Sequence, residues 1–295
     1  MHISLDSALG QQRRLNQIGE TITSIATPAA AFSLRSLTGG DPLAVRVRRS
    51  SDNTDQDFTV SEVASGALTA FVGSGNDGFV DTWYDQSGND RHAVQNTDAQ
   101  QPIIVESGTF QDGLKFTHAD TTNGKRLSFD RDTSQLGTEF ALVWVGFYTG
   151  SSSTMKNILG ATRGVQGFNS GSVSITVKPS SNSLRFVNEQ TGSTRQILGA
   201  TQTLAADTLG VVFASYDDDA ALISVNGNSN TSTFSGTVLT NSRNFNIMSS
   251  TATGGSYRTL ESAPGTCSEV IVYDTNQVNN RTSIETNIIN HYSIS

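Results

Sequence analysis

Cleavage of a glycosidic bond needs two carboxyl groups, about 5–5.5 Å apart for retention of configuration and about 6.5–9.5 Å apart for inversion. The 295-residue chain holds eight glutamates: Glu20, Glu62, Glu106, Glu139, Glu189, Glu261, Glu269 and Glu285. Glu189, in Val187-Asn188-Glu189-Gln190, follows an apolar run and is the best placed of the eight to meet a ligand. A second acidic feature is the triplet Asp217-Asp218-Asp219. Calcium takes six to eight oxygens, so the triplet is the chain's weak metal candidate and calcium the one cofactor it would hold. The triplet also separates two apolar runs, where a solvated hairpin tip is the simpler role.

Asp85-Gln86-Ser87-Gly88-Asn89 closes the apolar, aromatic run that ends in Trp83-Tyr84. Asp and Asn oxygens on a glycine-shaped loop suit a sugar or a metal. The same residues also build a turn: an Asp at its start accepts amides two residues on, and Gly and Asn tolerate positive φ. The turn reading takes precedence. Sugar faces stack on exposed rings. Trp83 and Trp144 lie inside apolar runs and are expected in the core, whereas Tyr148, Phe168, Tyr216 and Tyr257 lie near polar loops and are the carbohydrate-binding candidates.

Other chemistries find little purchase. The four histidines (His2, His92, His118 and His291) have no HxH or HExxH spacing, which disfavours zinc. There is no phosphate-binding Gly-x-x-x-x-Gly-Lys loop and no Gly-x-Ser-x-Gly elbow. The single cysteine, Cys267, sits in an apolar run and reads as a small buried hydrophobe. A net charge of −8 disfavours nucleic acid and anionic membrane as partners. No apolar run is long enough to span a bilayer, and the first residues lack a secretory signal pattern.

The elements that would position these groups are mostly strands. Hydrophobic residues make up 35% of the chain and charged residues only 16%, as suits sheets that bury one face between polar turns. Strands are expected at Ala44–Arg49, Phe79–Tyr84, Leu114–Phe116, Arg126–Phe129, Ser172–Val177, Ser183–Asn188, Gly210–Tyr216, Ala221–Asn226, Asn244–Met248 and Cys267–Tyr273. Phe140–Phe147 is apolar on both faces, so it should be a central strand covered on each side. A short helix is expected within Ser61–Phe71. An amphipathic one is expected over Val278–Tyr292, with Ile284, Ile288 and Tyr292 on one face.

Residues 1–27 differ from the rest. Leu15, Ile18, Ile22 and Ile25 follow a coiled-coil rhythm, and Pro28 ends the segment. So short a helix needs a partner for its stripe. The domain itself, sister chains or a larger assembly would each serve, and oligomerisation or anchoring is assigned to these four residues.

Four pieces resemble the concanavalin A-like, laminin-G-type jelly roll of phage and bacterial proteins. They are the Tyr84-Asp85-Gln86-Ser87-Gly88-Asn89 turn, the Phe140–Phe147 strand, the hairpin ending in Val225-Asn226-Gly227, and the Ser268–Tyr273 strand with its terminal helix. A second block is similar to the start of the arabinofuranosidase B catalytic domain and to a block in phage virion proteins. It comprises Ala31–Arg35, Val45–Asp52 and Trp83–Gly88. Nothing around Glu189 matches that hydrolase family's nucleophile motif, and the family's adjacent cysteine pair has no counterpart beside Cys267.

The resemblance implies an all-β chain: a two-sheet concanavalin A-like jelly-roll sandwich over 28–295, with a short N-terminal helix in 1–27 and a C-terminal amphipathic helix. The function it implies is a phage virion structural protein without enzymatic activity: a capsid decoration, head fibre or tail appendage assembled in the host cytoplasm. Its partners would be other virion proteins or sister chains through the N-terminal segment, and host-surface polysaccharide. The alternatives are a glycoside hydrolase resembling α-L-arabinofuranosidase and a free carbohydrate-binding module.

Overall fold

The computed structural model describes residues 20–118, 124–130, 136–161, 173–190, 194–234, 244–250 and 262–295, with residues 189, 190, 194 and 195 described by backbone only. The first strands are β1 (Ala30–Ser33), β2 (Leu43–Arg49), β3 (Asp55–Thr59), β4 (Gly78–Trp83), β5 (Ala93–Val94) and β6 (Ile103–Glu106). Next come β7 (Thr109–Phe116), β8 (Leu127–Phe129), β9 (Glu139–Tyr148), β10 (Lys156–Ala161), β11 (Val173–Lys178) and β12 (Ser183–Gln190). The last are β13 (Thr194–Gly199), β14 (Gly210–Asp217), β15 (Ala220–Val225), β16 (Asn228–Thr233), β17 (Phe245–Ile247) and β18 (Gly265–Tyr273). Among the described residues the α-helices are α1 (Ile22–Ile25), α2 (Val60–Ala64), α3 (Ala67–Val72) and α4 (Arg281–Tyr292).

The chain is all-β, and all its strand ladders are antiparallel. One run of neighbours is β1-β18-β9-β14-β15-β16. A second runs β4-β5-β8-β17-β10-β11-β12-β13, with β2, β3 and β6 attached through β4. β7 joins the two runs, pairing with β6 on one side and with Gly265–Cys267 of β18 on the other. The result is one antiparallel sheet nearly closed on itself.

The expected central strand is present as β9. Phe140, Leu142 and Trp144 enter the main core, where they meet Phe186, Ile175 and Phe129 from the second run. Ala141, Val143 and Val145 point the other way, into a second apolar cluster with Ile22, Ile284 and Ile288. Both faces of β9 are therefore dry, which is why its sequence does not alternate. β18 beside it is buried at all nine positions.

α1 and α4 cover the outer face of β9, β14 and β18. α4 docks with Ile284 and Ile288 buried, as its spacing predicts. Of the N-terminal segment, residues 20–27 are described. Only Ile22–Ile25 is helical among the described residues, capped by Thr21 and Ser24 in a capping box. Ile22 is fully buried against α4, with Ile25 packed beside it. The domain's own surface takes Ile22 fully and Ile25 in part. Leu15 and Ile18 lie outside the described residues.

A buried ion pair fastens this helical layer. Arg35 grips Glu269 of β18 through Nε at 2.7 Å and Nη2 at 3.0 Å, and its Nη1 donates to Asn287 of α4 at 2.8 Å. Ser33 and Tyr292 donate hydroxyls to the same carboxylate, at 2.9 and 3.2 Å. Glu269 is fully buried, and four donors supply the partners that a buried carboxylate requires.

The Asp85 turn is architectural, as expected. Asp85 Oδ1 accepts the amides of Ala31 and Ser87, and Oδ2 accepts the Ser87 hydroxyl and the Arg91 amide. Gln86 accepts from the Leu37 amide and donates to the Ser33 and Arg35 carbonyls. All the acceptor capacity of Asp85 is directed at its own fold, which leaves little for a ligand.

Candidate functional site

Two of the four expected sugar platforms, Tyr148 and Tyr216, are buried. Tyr148 is fully buried, its hydroxyl 2.6 Å from the Leu204 carbonyl and 2.8 Å from Asn182 Oδ1. Tyr216 is buried between Phe140 and Phe234, with ring centroids 5.8 and 6.3 Å away. Both lie on strand ends whose phase turns the ring inward, so nearness to a loop in sequence misleads. Trp83 and Trp144 are core residues, as their apolar neighbours imply. Phe168 and Tyr257 lie outside the described residues.

The acidic triplet closes the β14–β15 hairpin. Asp218 takes the left-handed conformation at φ 53°, and Asp217 accepts from Asn276 Nδ2 at 2.6 Å. Among the described residues no cluster of three or more His, Cys, Asp or Glu side chains is arranged to hold a metal.

A different surface gathers polar groups. Residues opposed in an antiparallel ladder share a face. Ser128 of β8 opposes Asn246 of β17, which opposes Gly160 of β10. Gly160 opposes Ser174 of β11, and Ser174 opposes Val187 of β12. One step along, Asn157 opposes Thr176, and Thr176 opposes Arg185. The alternate residues Leu127, Phe129, Phe245, Ile247, Leu159, Ile175 and Phe186 all enter the main core. The second run of strands therefore has an apolar inner face and a polar outer one. A side chain at Gly160 would strike Val173 and Ser174, so glycine there lets β10 and β11 close up.

This outer face has an unusual hydrogen-bond balance. Asn157, Ser174 and Thr176 are fully buried, yet Asn157 Oδ1, Ser174 Oγ and Thr176 Oγ1 have no hydrogen-bond partner. Ser249 Oγ beside them is in the same position. Buried polar atoms are nearly always paired, and each orphan costs about 1–3 kcal/mol. One contact secures the edge of the cluster: Asn157 Nδ2 donates to the Ser249 carbonyl at 2.6 Å. Next to it, His118 Nε2 lies 3.0 and 2.9 Å from the carbonyls of Met248 and Ala263. Two acceptors fix the proton on Nε2. Burial holds the ring neutral, with its pKa lowered to about 4.

Glu189 belongs to this region by register. It occupies β12 opposite Arg195 of β13, two positions beyond Val187 and four beyond Arg185. Strand periodicity puts 185, 187 and 189 in one phase.

The geometry defines an all-β chain with a buried polar face on one sheet run. No family model matches the chain, and no curated protein does either. Solved structures do. A GH54 α-L-arabinofuranosidase superposes with a TM-score of 0.56 at 14% identity, over 89% of this chain and 62% of that one. An arabinofuranosidase complexed with arabinofuranosyl-α-1,2-xylobiose gives 0.55 at 15% identity over the same shares. Trypanosoma rangeli sialidase gives 0.49 at 14% identity, over 73% of this chain and 32% of that one. The chain thus spans about a third of the sialidase and under two thirds of the arabinofuranosidases.

The arabinofuranosidase likenesses establish the fold and correct two expectations. The arabinofuranosidase half of the sequence resemblance is supported, while the phage concanavalin A-like half is not. The structural counterparts are glycoside hydrolases, which overturns the expectation of a virion structural protein and that of a chain without enzymatic activity.

Proposed function

We propose that this chain is a glycoside hydrolase of the arabinofuranosidase-like kind, with its site on the polar outer face of β8, β17, β10, β11 and β12. The observation that carries the reading is the row of buried, unpartnered polar atoms at Asn157, Ser174 and Thr176. Hydroxyl and amide groups are what the hydroxyls of a sugar require, and they stand in a fold that an α-L-arabinofuranosidase shares over 89% of the chain. We also read the two runs of strands around the main core as the two sheets of a jelly-roll sandwich.

Glu189 is the first carboxylate of the pair, as nucleophile or general acid. Asp130, just past β8, is in phase with Ser128 but lies on the fourth strand away from β12, roughly 19 Å at about 4.8 Å per strand. That exceeds either separation a glycosidase uses. The acidic residues in the segments that follow β7, β8 and β17 are Asp120, Asp132 and Glu261, all outside the described residues; these are the second-carboxylate candidates.

The test is hydrolysis of 4-nitrophenyl α-L-arabinofuranoside. The wild type should release nitrophenol, and Glu189→Gln should slow release at least about a hundredfold. A wild type with no turnover, or a Glu189→Gln variant as fast as the wild type, overturns the reading. Sugar binding without turnover would assign the chain as a carbohydrate-binding module, which the same unpartnered row would equally serve.

A further inference from the structure

A cavity of about 530 Å³ opens beside His118. It is lined by Gln111, Lys115, Phe116, Thr117, Phe147 and Thr149, with Pro264–Thr266 of the β18 entry as its wall. Phe147 continues the outer-face phase of Ala141, Val143 and Val145 along β9. Those three are buried in the helix-covered cluster, whereas Phe147 lies outside it and stays partly exposed. The cavity therefore combines the Phe147 ring with an amide, three threonines, a lysine and an imidazole.

Its charges are balanced. Lys115 Nζ is held by Glu106 at 2.6 and 2.8 Å, and His118 is neutral because it is buried. A cavity with a ring, several hydrogen-bonding groups and no unopposed charge favours an uncharged polyol over an anion. A short chain of hydrogen bonds links it to the polar face. His118 bridges the carbonyls of Met248 and Ala263, and the Ala263 amide donates to the Asn157 carbonyl at 3.3 Å.

We propose that this cavity is a further saccharide subsite that takes one neutral sugar ring, stacked on Phe147 and bonded by Gln111, Thr149 and Thr266. The sugar class rests on the hydrolase reading above, while the site itself rests on its own geometry.

The test is an amide NMR titration of the Glu189→Gln protein with methyl α-L-arabinofuranoside and, separately, methyl β-D-xylopyranoside. Shifts are expected at the Gln111, Thr149 and Thr266 amides with at least one sugar. Phe147→Ala should weaken that binding at least tenfold. Thr149→Trp, which fills the cavity without removing a core group, should abolish it even if Phe147→Ala proves unstable. Shifts confined to β10, β11 and β12, or no shift at saturating sugar, overturn the subsite. Failure of the hydrolase reading shows separately, as a wild type without nitrophenol release whose cavity amides still shift.

Discussion

Asp85 Oδ1 accepts the backbone N–H of Ala31 at 2.8 Å and ties a turn to a strand 54 residues earlier. The same carboxylate takes the Ser87 and Arg91 amides and the Ser87 hydroxyl. Asp85→Asn keeps one oxygen for Ala31 and Ser87 but turns an N–H toward the Arg91 amide. That variant should lose about 2–3 kcal/mol of stability, measured by urea unfolding, with Asp85→Ala losing at least as much. A loss below about 0.5 kcal/mol would show that the turn closes without it.

Arg35 and Glu269 are a buried pair that should behave asymmetrically. Removing one partner leaves an uncompensated charge, so Arg35→Met should cost about 3–5 kcal/mol. The double variant Arg35→Met, Glu269→Leu should recover a large part of that loss. A double-mutant cycle by thermal unfolding checks this, and additive losses would count against a coupled pair.

His118 gives the fold a pH dependence whose sign is fixed by geometry. Its folded pKa is lowered to about 4 from an ordinary 6.5, because burial disfavours the imidazolium. The unfolded chain therefore takes up a proton first as pH falls. Stability should be unaffected above pH 6.5 and should decline by about 1.4 kcal/mol per pH unit down to about pH 4, roughly 3 kcal/mol in all. The difference between wild-type and His118→Asn unfolding curves, taken from pH 7 to 4, isolates this contribution. A difference that does not vary with pH would refute it.

Tyr148→Phe removes a hydroxyl held 2.6 Å from the Leu204 carbonyl. We expect a loss of about 1 kcal/mol in stability and no change in sugar binding. Isothermal titration on the variant separates a structural tyrosine from a sugar platform.

Ile22→Ala opens a cavity under α4 and should cost about 2–4 kcal/mol by chemical denaturation. If α1 serves the domain alone, molar mass in solution should match that of the wild type. A change in mass would restore an assembly role to the segment.

Much of the fold is legible in the residues. β2, β4, β14 and β18 carry apolar residues at strand phase, and α4 shows its stripe at Ile284 and Ile288. Three kinds of element are not legible. β16 reads Asn-Ser-Asn-Thr-Ser-Thr, with no apolar position to mark it, and is held by its ladder to β15. β3 begins Asp-Gln-Asp and reads as the end of a turn, although its backbone pairs with β2. β10 and β13 are short runs whose partners, not their composition, decide their conformation.

The polar face is harder still to foresee. Ser128, Asn246, Ser174 and Thr176 come from distant parts of the chain and become a row only when register is known. No local pattern distinguishes them from the serines and threonines of turns. Glu189 is singled out in the sequence because an apolar run precedes it, although it lies within β12. What it stands beside depends on pairings across four strands.

β18 pairs with β1, β9 and β7, and so closes both the first-made and the middle parts of the sheet. During synthesis it emerges after every other strand described here. Until then β9 has one open edge, and the Arg35 side chain has no carboxylate to grip. The native sheet thus waits for residues 265–273, and most of its contacts join segments far apart in the chain, the condition that slows folding and exposes strand edges. A nascent chain halted before Gly265 would be rich in β-forming sequence with its central seam unfilled, the form most in need of a chaperone.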